Sequence, residues 1–543
     1  MSSTLKEVGV IIGEASSSEF FFASKPGEMP SRWEYLLTYS EEDVDGKPKQ
    51  VEVVAQIERV ISASQALTKE LDFEIIKKII ESGLADRKVW GKARVLGYLT
   101  ESGDLQQPKK AVMPGKPVYI APAELLEKFY SYPEDEAIKV GALITRGEVP
   151  VSLSVKGFRR HLAIIAQTGS GKTYLSGIIV DELLRKGGTI IMLDPHADYV
   201  FLSRRIDGKR HELADRITVF RNPSSTGRYT ESEVGNVKPY EICFSDLDLD
   251  EICLICGISS HYTNIVTGLG KALEHLKAEK DVFQPEDLLE KLENVDSWKT
   301  EDMDSKIVEG ARSAAKYLAR LINMKVFTSG STKISEMLKP MHLSVVDLSG
   351  LDDDVSDYIA FRILSDAYEK VASGEFGYPV FVFVEEAHKF IPATNSTYSS
   401  SIIKKIAAEG RKFGIFLVVI TQRPSKIHSD ALSQCNSQII MRITNPKDQA
   451  AVAASSERLG ETLLDDLPGL NTGEAVIVGE MTRAPIMAKI RKRTTREGGS
   501  DIDIMGKMKE AIEKAKEETV ENESKRLREE MKGFMGSSKE DEK

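Results

Sequence analysis

The sequence predicts an α/β protein in which a parallel sheet follows a small all-β unit. From Leu162 onward, strands rich in Val, Ile and Leu alternate with amphipathic helices, which is typical of a sheet covered on both faces. Short strand-like runs separated by Ser, Gly, Pro and Asp precede them. Between about 245 and 335 the pattern is only helical, which indicates an insertion in the α/β core.

These patterns divide the chain into three parts. Residues 1–130 are expected to form a small barrel or sandwich carrying one helix, at about 69–82. Residues 131–500 contain the α/β core with its helical insertion at 245–335. Residues 501–543 hold 10 Lys+Arg and 13 Asp+Glu around a thin apolar line. That tail is either a solvated helix with a frayed end or a helix that packs on a neighbouring subunit.

Composition excludes several classes of protein. Among 543 residues, 73 Lys+Arg face 84 Asp+Glu, so the net charge of −11 rules out a broadly basic nucleic-acid coat but not a local basic patch. Four cysteines argue against a disulfide framework. The N-terminal stretch lacks a signal-peptide pattern, and no apolar run approaches a membrane span. We therefore expect a cytoplasmic protein without a membrane anchor.

The strongest local motif is a phosphate-binding loop, AQTGSGKT at 166–173, between an apolar strand and an amphipathic helix. Its glycines let backbone N–H groups surround phosphate oxygens at a helix N-terminus. Lys172 would neutralise phosphate charge, and the Thr173 hydroxyl would ligate Mg²⁺. Ala166 replaces the usual first glycine, so the loop entry must use a conformation open to ordinary residues. The residues expected to bind nucleotide are Ala166, Thr168, Gly169, Ser170, Gly171, Lys172, Thr173 and Tyr174.

Further polar residues follow later strands of the α/β core. Glu385 and Glu386 end the strand FVFV, and we assign Glu385 to the metal and Glu386 to the attacking water. Gln422 ends the next strand, where it could sense the γ-phosphate or orient water. Asp194 ends the strand after the phosphate-loop helix and is close enough in this topology to touch the nucleotide.

Arg411, in the segment EGRKFG, is a candidate arginine finger that reaches a neighbour's nucleotide, although a surface role is the common fate of a lone arginine. The segment NPKD at 445–448 has the wrong order for guanine recognition, which favours ATP. Cys253 and Cys256 form a lone CxxC in an apolar helix, which indicates a buried structural pair.

The segments TGSGKT, LDPHADY, VFVEEAH, EGRKFG and TQRPS, in this order and spacing, resemble the HerA branch of the HerA/FtsK ATPase superfamily. The resemblance implies a RecA-like P-loop core behind an N-terminal β-barrel, with a C-terminal helical brace between subunits. It implies a hexameric, ATP-driven translocase or helicase on double-stranded DNA that works with a NurA-type nuclease in DNA end resection. The barrel would dock the nuclease, and Arg146 would lie at a subunit interface.

If DNA passes through such a ring, a few basic residues per subunit can form a dense positive stripe along its phosphates. The candidates for this stripe are Lys209, Arg210, Arg228, Lys404 and Lys405. Two alternatives stay open: a pump ATPase of the same superfamily, and a nucleotide-gated scaffold that assembles a nuclease with little motor activity.

Overall fold

The computed structural model describes residues 5–44, 46–227, 229–456, 458–498 and 504–537. It divides into two compact units, Met1–Glu497 and Gly498–Lys543. Within the described residues, we find no helix that combines the length and apolarity needed to cross a membrane.

The first unit begins with a closed β-barrel, because β2 pairs with both β1 and β5 in the order β2-β1-β7-β3-β4-β5. Alternate side chains point inward, and Phe20, Phe22, Val53 and Ile57 are fully buried there. A helix, α1, lies between β4 and β5 and begins later than the sequence predicts. The elements are β1 (Glu7–Ala15), β2 (Glu19–Ser24), β3 (Tyr35–Val44), β4 (Lys47–Ala63), α1 (Phe73–Glu81), β5 (Lys88–Leu99), β6 (Leu105–Gln106) and β7 (Pro117–Ile120).

The α/β core is built on a twelve-stranded sheet with the order β13-β12-β16-β11-β17-β18-β10-β19-β20-β21-β8-β9. Its strands are β8 (Ala137–Leu143), β9 (Pro150–Ser154), β10 (Leu162–Ile165), β11 (Thr189–Asp194), β12 (Ile217–Arg221), β13 (Val237–Pro239), β16 (Leu343–Asp347), β17 (Val380–Val384), β18 (Ile415–Thr421), β19 (Ser437–Ile440), β20 (Glu474–Val478) and β21 (Ile486–Ile490). The α/β class, with its barrel and helical insertion, is thereby confirmed.

The sheet is not parallel throughout, in contrast to the prediction. The eight strands from β13 to β19 run parallel, whereas β20, β21, β8 and β9 extend one edge in antiparallel pairs. β20 is as buried as the parallel strands beside it. Because burial on both faces produces the same continuous apolar run in either direction, the pattern could not distinguish them.

Helices cover both faces of the sheet and form the insertion. Those outside the insertion are α2 (Ala123–Tyr130), α3 (Lys172–Arg185), α4 (Glu231–Val234), α11 (Asp353–Ala372), α12 (Tyr398–Phe413), α13 (Ser429–Ser433), α14 (Pro446–Ser455) and α15 (Glu461–Asp466). The insertion contains α5 (Leu249–Cys256), α6 (Thr263–Glu279), α7 (Pro285–Glu293), α8 (Ser305–Ala315), α9 (Ala319–Met324) and α10 (Ile334–Met337). Two short parallel strands that the sequence did not predict pair with each other, β14 (Ile242–Cys243) just before the insertion and β15 (Phe327–Thr328) near its end.

The second unit is one helix, α16 (Ile504–Ser537). Its apolar side chains Met505, Met508, Ile512 and Leu527 are exposed. Such a thin stripe fits either a solvated helix or one covered by a partner, so the brace stays a prediction.

Candidate nucleotide-binding site

The loop between β10 and α3 has the conformation that phosphate binding requires. Gly169 and Gly171 take φ values of 76° and 104°, which side chains disfavour, and Gly171 caps α3. Ala166 is fully buried, and its φ is not positive, so alanine fits where the usual motif has glycine. The loop is tied to neighbouring strands, because Ala166 N–H donates to Thr421 O at 3.2 Å and Gln167 N–H to Arg442 O at 3.0 Å.

The sheet order brings the predicted polar residues to this loop. β18 lies between β10 and β17, with Ile165 opposite Thr421 and Val384 opposite Val419. Since all three strands run parallel, their carboxyl ends meet at one edge. Gln422 therefore stands between the phosphate loop and the carboxylates of Glu385 and Glu386.

Lys172 lies at the centre of this edge. Its Nζ donates to Glu386 Oε1 at 2.7 Å and makes a very short contact with Glu385. Lys172 is 8% exposed, and the two carboxylates are 0% and 2% exposed. Burial disfavours the ammonium, but the two neighbouring carboxylates outweigh it and raise the pKa of Lys172. The three side chains thus form a buried charged cluster, the Lys172 cluster.

The two carboxylates differ in their surroundings. Burial raises the pKa of Glu385, whose Oε2 accepts from the Tyr199 hydroxyl at 2.7 Å. Burial also opposes ionisation of Glu386, but His388, Lys172 and Gln422 together lower its pKa. Glu386 holds a φ of 48°, a left-handed conformation uncommon for a residue with a side chain. Its carboxylate is therefore kept ionised and aimed by its neighbours.

Thr168 joins Gln422 to the loop, since its hydroxyl donates to the Gln422 side-chain oxygen. The amide nitrogen of Gln422 in turn donates to Glu386. The loop, the middle strand and the acid strand are therefore linked by one chain of hydrogen bonds.

Thr173 faces a carboxylate that sequence reasoning left unassigned. Its hydroxyl donates to Asp198 Oδ2 at 3.3 Å. Thr173, Asp198 and Glu385 offer only oxygen donors, as Mg²⁺ prefers, and suit a metal that also takes phosphate and water ligands. The described residues contain no group of three or more His, Cys, Asp or Glu side chains placed to hold a metal without such help.

Asp194 is placed differently from the expectation. Its fully buried carboxylate accepts from the backbone N–H groups of His196, Asp198 and Tyr199 at 3.3, 3.0 and 2.8 Å. Asp194 therefore shapes the loop that carries Asp198 and Tyr199, and its contact with nucleotide stays a prediction.

Arg411 and Arg146 lie apart from the Lys172 cluster. Arg411 is exposed near the end of α12, before β18 begins, whereas the phosphate loop lies at the other end of the parallel strands. Seven residues of strand span about 20 Å, beyond the reach of an arginine side chain. Arg146 donates to Ala121 O at 3.0 Å and pairs with Glu148 at 3.0 Å. Neither side chain reaches the nucleotide site of its own chain.

The predicted DNA-binding residues are mostly held by contacts on the surface. Lys209 lies 4.0 Å from Asp207, and Arg210 pairs with Asp215. Lys404 is half-buried on α12, and Lys405 Nζ lies 4.5 Å from the centre of the Tyr368 ring. Arg228 falls outside the described residues.

Sequence reasoning missed two contributors to the site, Tyr199 and Arg493, and left a third, Asp198, without a role. Tyr199 and Asp198 stand in LDPHADY, and a signal existed there because polar residues follow a buried strand beside the phosphate loop. Arg493 is buried against the start of α3, although it lies more than 300 residues after this helix in the sequence. No local sequence pattern indicates this contact. The Tyr174 hydroxyl accepts from the backbone N–H of Arg493 at 2.6 Å, and its contact with nucleotide stays a prediction.

A family model described as "Helicase HerA, central domain" matches residues 138–367. The DNA double-strand break repair helicase HerA of Pyrococcus furiosus is 30% identical over 92% of this chain and 96% of its own. The protein of the same name from Sulfurisphaera tokodaii is 28% identical over 94% of this chain and 98% of its own. Among solved structures, VirB4 of Thermoanaerobacter pseudethanolicus is 15% identical, with a TM-score of 0.46, over 67% of this chain and 98% of its own.

The Lys172 cluster predicts a specific pattern of stability. Lys172→Met should lower the free energy of unfolding by about 3 kcal/mol, because it leaves buried carboxylates without their cation. Adding Glu385→Gln should recover about half of that loss. Urea unfolding at pH 7 without nucleotide measures both.

Lys186→Met is the matched control, because Lys186 lies at the far end of the same helix and donates to Glu134 O in an exposed contact. It should change stability by less than about 0.5 kcal/mol. A Lys172→Met variant as stable as this control would show that the cluster is not held by charge.

Proposed function

The chain belongs to the HerA helicase family, and we propose that it is an ATP-driven translocase on double-stranded DNA that works as a hexameric ring. It is an ATP-hydrolysing enzyme. The observation that carries the proposal is the Lys172 cluster at the end of a phosphate loop, with Gln422 between loop and acids. Transfer of a phosphoryl group to water needs a cation beside the phosphates, a fixed carboxylate beside the attacking water, and a polar side chain that contacts the γ-phosphate. Lys172, Glu386 and Gln422 are of these three types.

The residues divide the chemistry among them. Glycine-rich backbone at 166–171 and Lys172 would bind the β- and γ-phosphates of ATP. Mg²⁺, held by the Thr173 hydroxyl and by Glu385 directly or through water, would neutralise developing charge on the phosphates. Glu386, ionised and aimed by Gln422, would polarise the attacking water.

Hydrolysis in this proposal needs a second subunit. Arg411 cannot approach the nucleotide of its own chain, yet it is exposed in the last turn of α12, where a second subunit could contact it. An arginine supplied in trans would stabilise transition-state charge on the γ-phosphate. A ring also allows a chain of net charge −11 to form a positively charged central channel, because every subunit contributes the same few basic side chains to it.

We further infer a nuclease partner of the NurA type for DNA end resection, docked on the barrel through α1. None of the nine residues of α1 is buried. Phe73 and Leu84, which follows the helix, are 74% and 72% exposed, and Ile75 and Ile80 are also exposed. Several large apolar side chains exposed on and beside one helix are typical of a protein-binding site.

The proposed motor activity is tested by ATP hydrolysis with and without long double-stranded DNA. We expect DNA to stimulate hydrolysis, and added salt to weaken the stimulation steeply, because phosphate contacts dominate such binding. Lys172→Ala should abolish turnover through loss of nucleotide affinity. Hydrolysis that does not respond to DNA at any salt concentration would contradict a DNA motor.

The composite site is tested by mixing two inactive variants. Arg411→Ala should bind ATP but lose about a thousandfold in turnover, and Glu386→Gln should also be inactive. In a mixed ring, about a quarter of interfaces join an intact Glu386 to an intact Arg411, so turnover should recover to a similar fraction. Lys412→Ala, next to Arg411, is the matched control and should keep wild-type turnover. A mixture that stays inactive would place Arg411 outside a composite site.

The partner surface is tested by replacing its most exposed apolar residues. Phe73→Asp with Leu84→Asp should lower affinity for the purified nuclease at least tenfold, because removing two large apolar side chains from an interface costs several kcal/mol. Sedimentation of the two-protein mixture measures it. Lys78→Asp on the same helix controls for charge and should bind normally. Equal binding by both variants would remove α1 from the interface.

A further inference from the structure

The chain returns to the phosphate loop after its last strand. Residues 491–497, the return segment, follow β21 and run along α3. Arg491 pairs with Glu182 on this helix at 2.8 Å, and Arg493 reaches its first turn. The segment also pairs with the loop after Asp198, since Arg496 N–H donates to Arg204 O at 2.7 Å. It therefore touches two of the three elements that carry candidate metal-binding oxygens, α3 with Thr173 and the loop that follows Asp198.

Arg493 is the buried anchor of this segment, with 3% of its surface exposed. Its guanidinium donates to three acceptors: Thr495 Oγ1 at 2.8 Å, Arg496 O at 3.2 Å and Thr173 O at 3.3 Å. These bonds use the planar fork of arginine, which lysine cannot reproduce. Thr173 accepts one of these bonds at its backbone carbonyl, and its side-chain hydroxyl donates to Asp198.

Helix α3 is shaped to receive this guanidinium. Gly177 faces it, and a Cβ there would lie 2.4 Å from Arg493 Cζ, far inside van der Waals contact. Tyr174 accepts from Arg493 N–H at 2.6 Å. Three residues on the first turns of α3 therefore contact one arginine, which fixes the rotation of the helix relative to the return segment.

Burial lowers the pKa of the Arg493 guanidinium, while the nearby negative charges of Glu497 and Asp198 act against that shift. The adjacent end of α3 is the positive end of the helix dipole, which also repels a cation. Three hydrogen bonds to neutral acceptors hold the guanidinium in this place and offset part of the cost of its burial.

We propose that Arg493 is a positioning residue for the Mg²⁺-nucleotide, which holds Thr173 so that its hydroxyl stays aimed at the metal. This inference rests on the proposed nucleotide site. It assigns to the return segment a task in metal binding rather than in phosphate binding, because Arg493 touches Thr173 and not the glycines of the loop.

The test compares nucleotide affinity with and without Mg²⁺, using a fluorescent ATP analogue and the full chain. Arg493→Gln should weaken nucleotide binding about tenfold in Mg²⁺ and by less than about twofold in EDTA. The difference is expected because a residue that holds a metal ligand in place affects only the part of the affinity that depends on the metal. Arg493→Lys, which keeps the charge but loses the fork, should behave like Arg493→Gln. Arg491→Gln, in the same segment, should match the wild type in both conditions.

The results of this test distinguish failure of the positioning role of Arg493 from failure of the proposed nucleotide site. Equal losses in Mg²⁺ and EDTA, or full recovery in Arg493→Lys, would overturn the positioning role. A wild-type chain whose nucleotide binding ignores Mg²⁺ would instead overturn the proposed site. If Arg493→Gln fails to fold, Thr495→Val removes one acceptor with little change in shape, and it should weaken Mg²⁺-dependent binding about threefold. Unchanged binding by Thr495→Val would then overturn the inference.

Discussion

A lysine buried between two carboxylates organises the nucleotide-binding edge of this protein. Each charge alone would be costly to remove from water, and their mutual attraction offsets that cost only while all three stay together. Lys172 comes from α3, and Glu385 and Glu386 follow β17. The Tyr199 hydroxyl ties a third element to the same cluster. The relative positions of loop, sheet and helix therefore depend on charge balance as well as on apolar packing.

The same balance explains how the site can exchange one anion for another. Lys172 cannot serve phosphates and carboxylates fully at once, so nucleotide binding must redistribute its bonds. In the proposed complex, phosphates would take the place of the carboxylates beside Lys172, and Mg²⁺ would supply the positive charge that Glu385 then lacks. Glu386 also accepts from the Gln422 side-chain amide, a bond that does not involve Lys172.

Sequence reasoning identified what local motifs specify. The phosphate loop, the acid pair and Gln422 each follow a buried strand, and parallel strand ends meet at one edge, so their meeting was predictable. Asp198 was visible but lacked a role, since its meaning depends on the fold of the loop around Asp194. Arg493 was not predictable at all, because its contacts with Thr173 and Gly177 exist only after the chain has crossed the whole sheet. The antiparallel direction of the strands at one edge of the sheet was not predicted for a different reason. A strand buried on both faces has the same continuous apolar sequence whether it runs parallel or antiparallel to its neighbours.

The two halves of the proposed composite site are joined by one buried histidine. His161 immediately precedes β10, which leads to the phosphate loop. Its Nδ1 accepts from Leu417 N–H of β18 at 2.9 Å, so its other nitrogen carries the proton and donates to Ala407 O of α12 at 3.0 Å. Burial lowers its pKa to about 4, which keeps this bridge uncharged at neutral pH. Arg411 lies one turn farther along α12. Because this side chain is neutral, buried and bonded at both nitrogens, it ties the strand that leads to the phosphate loop to the helix that carries Arg411. A ring of such subunits would therefore connect each nucleotide to the arginine offered to the next.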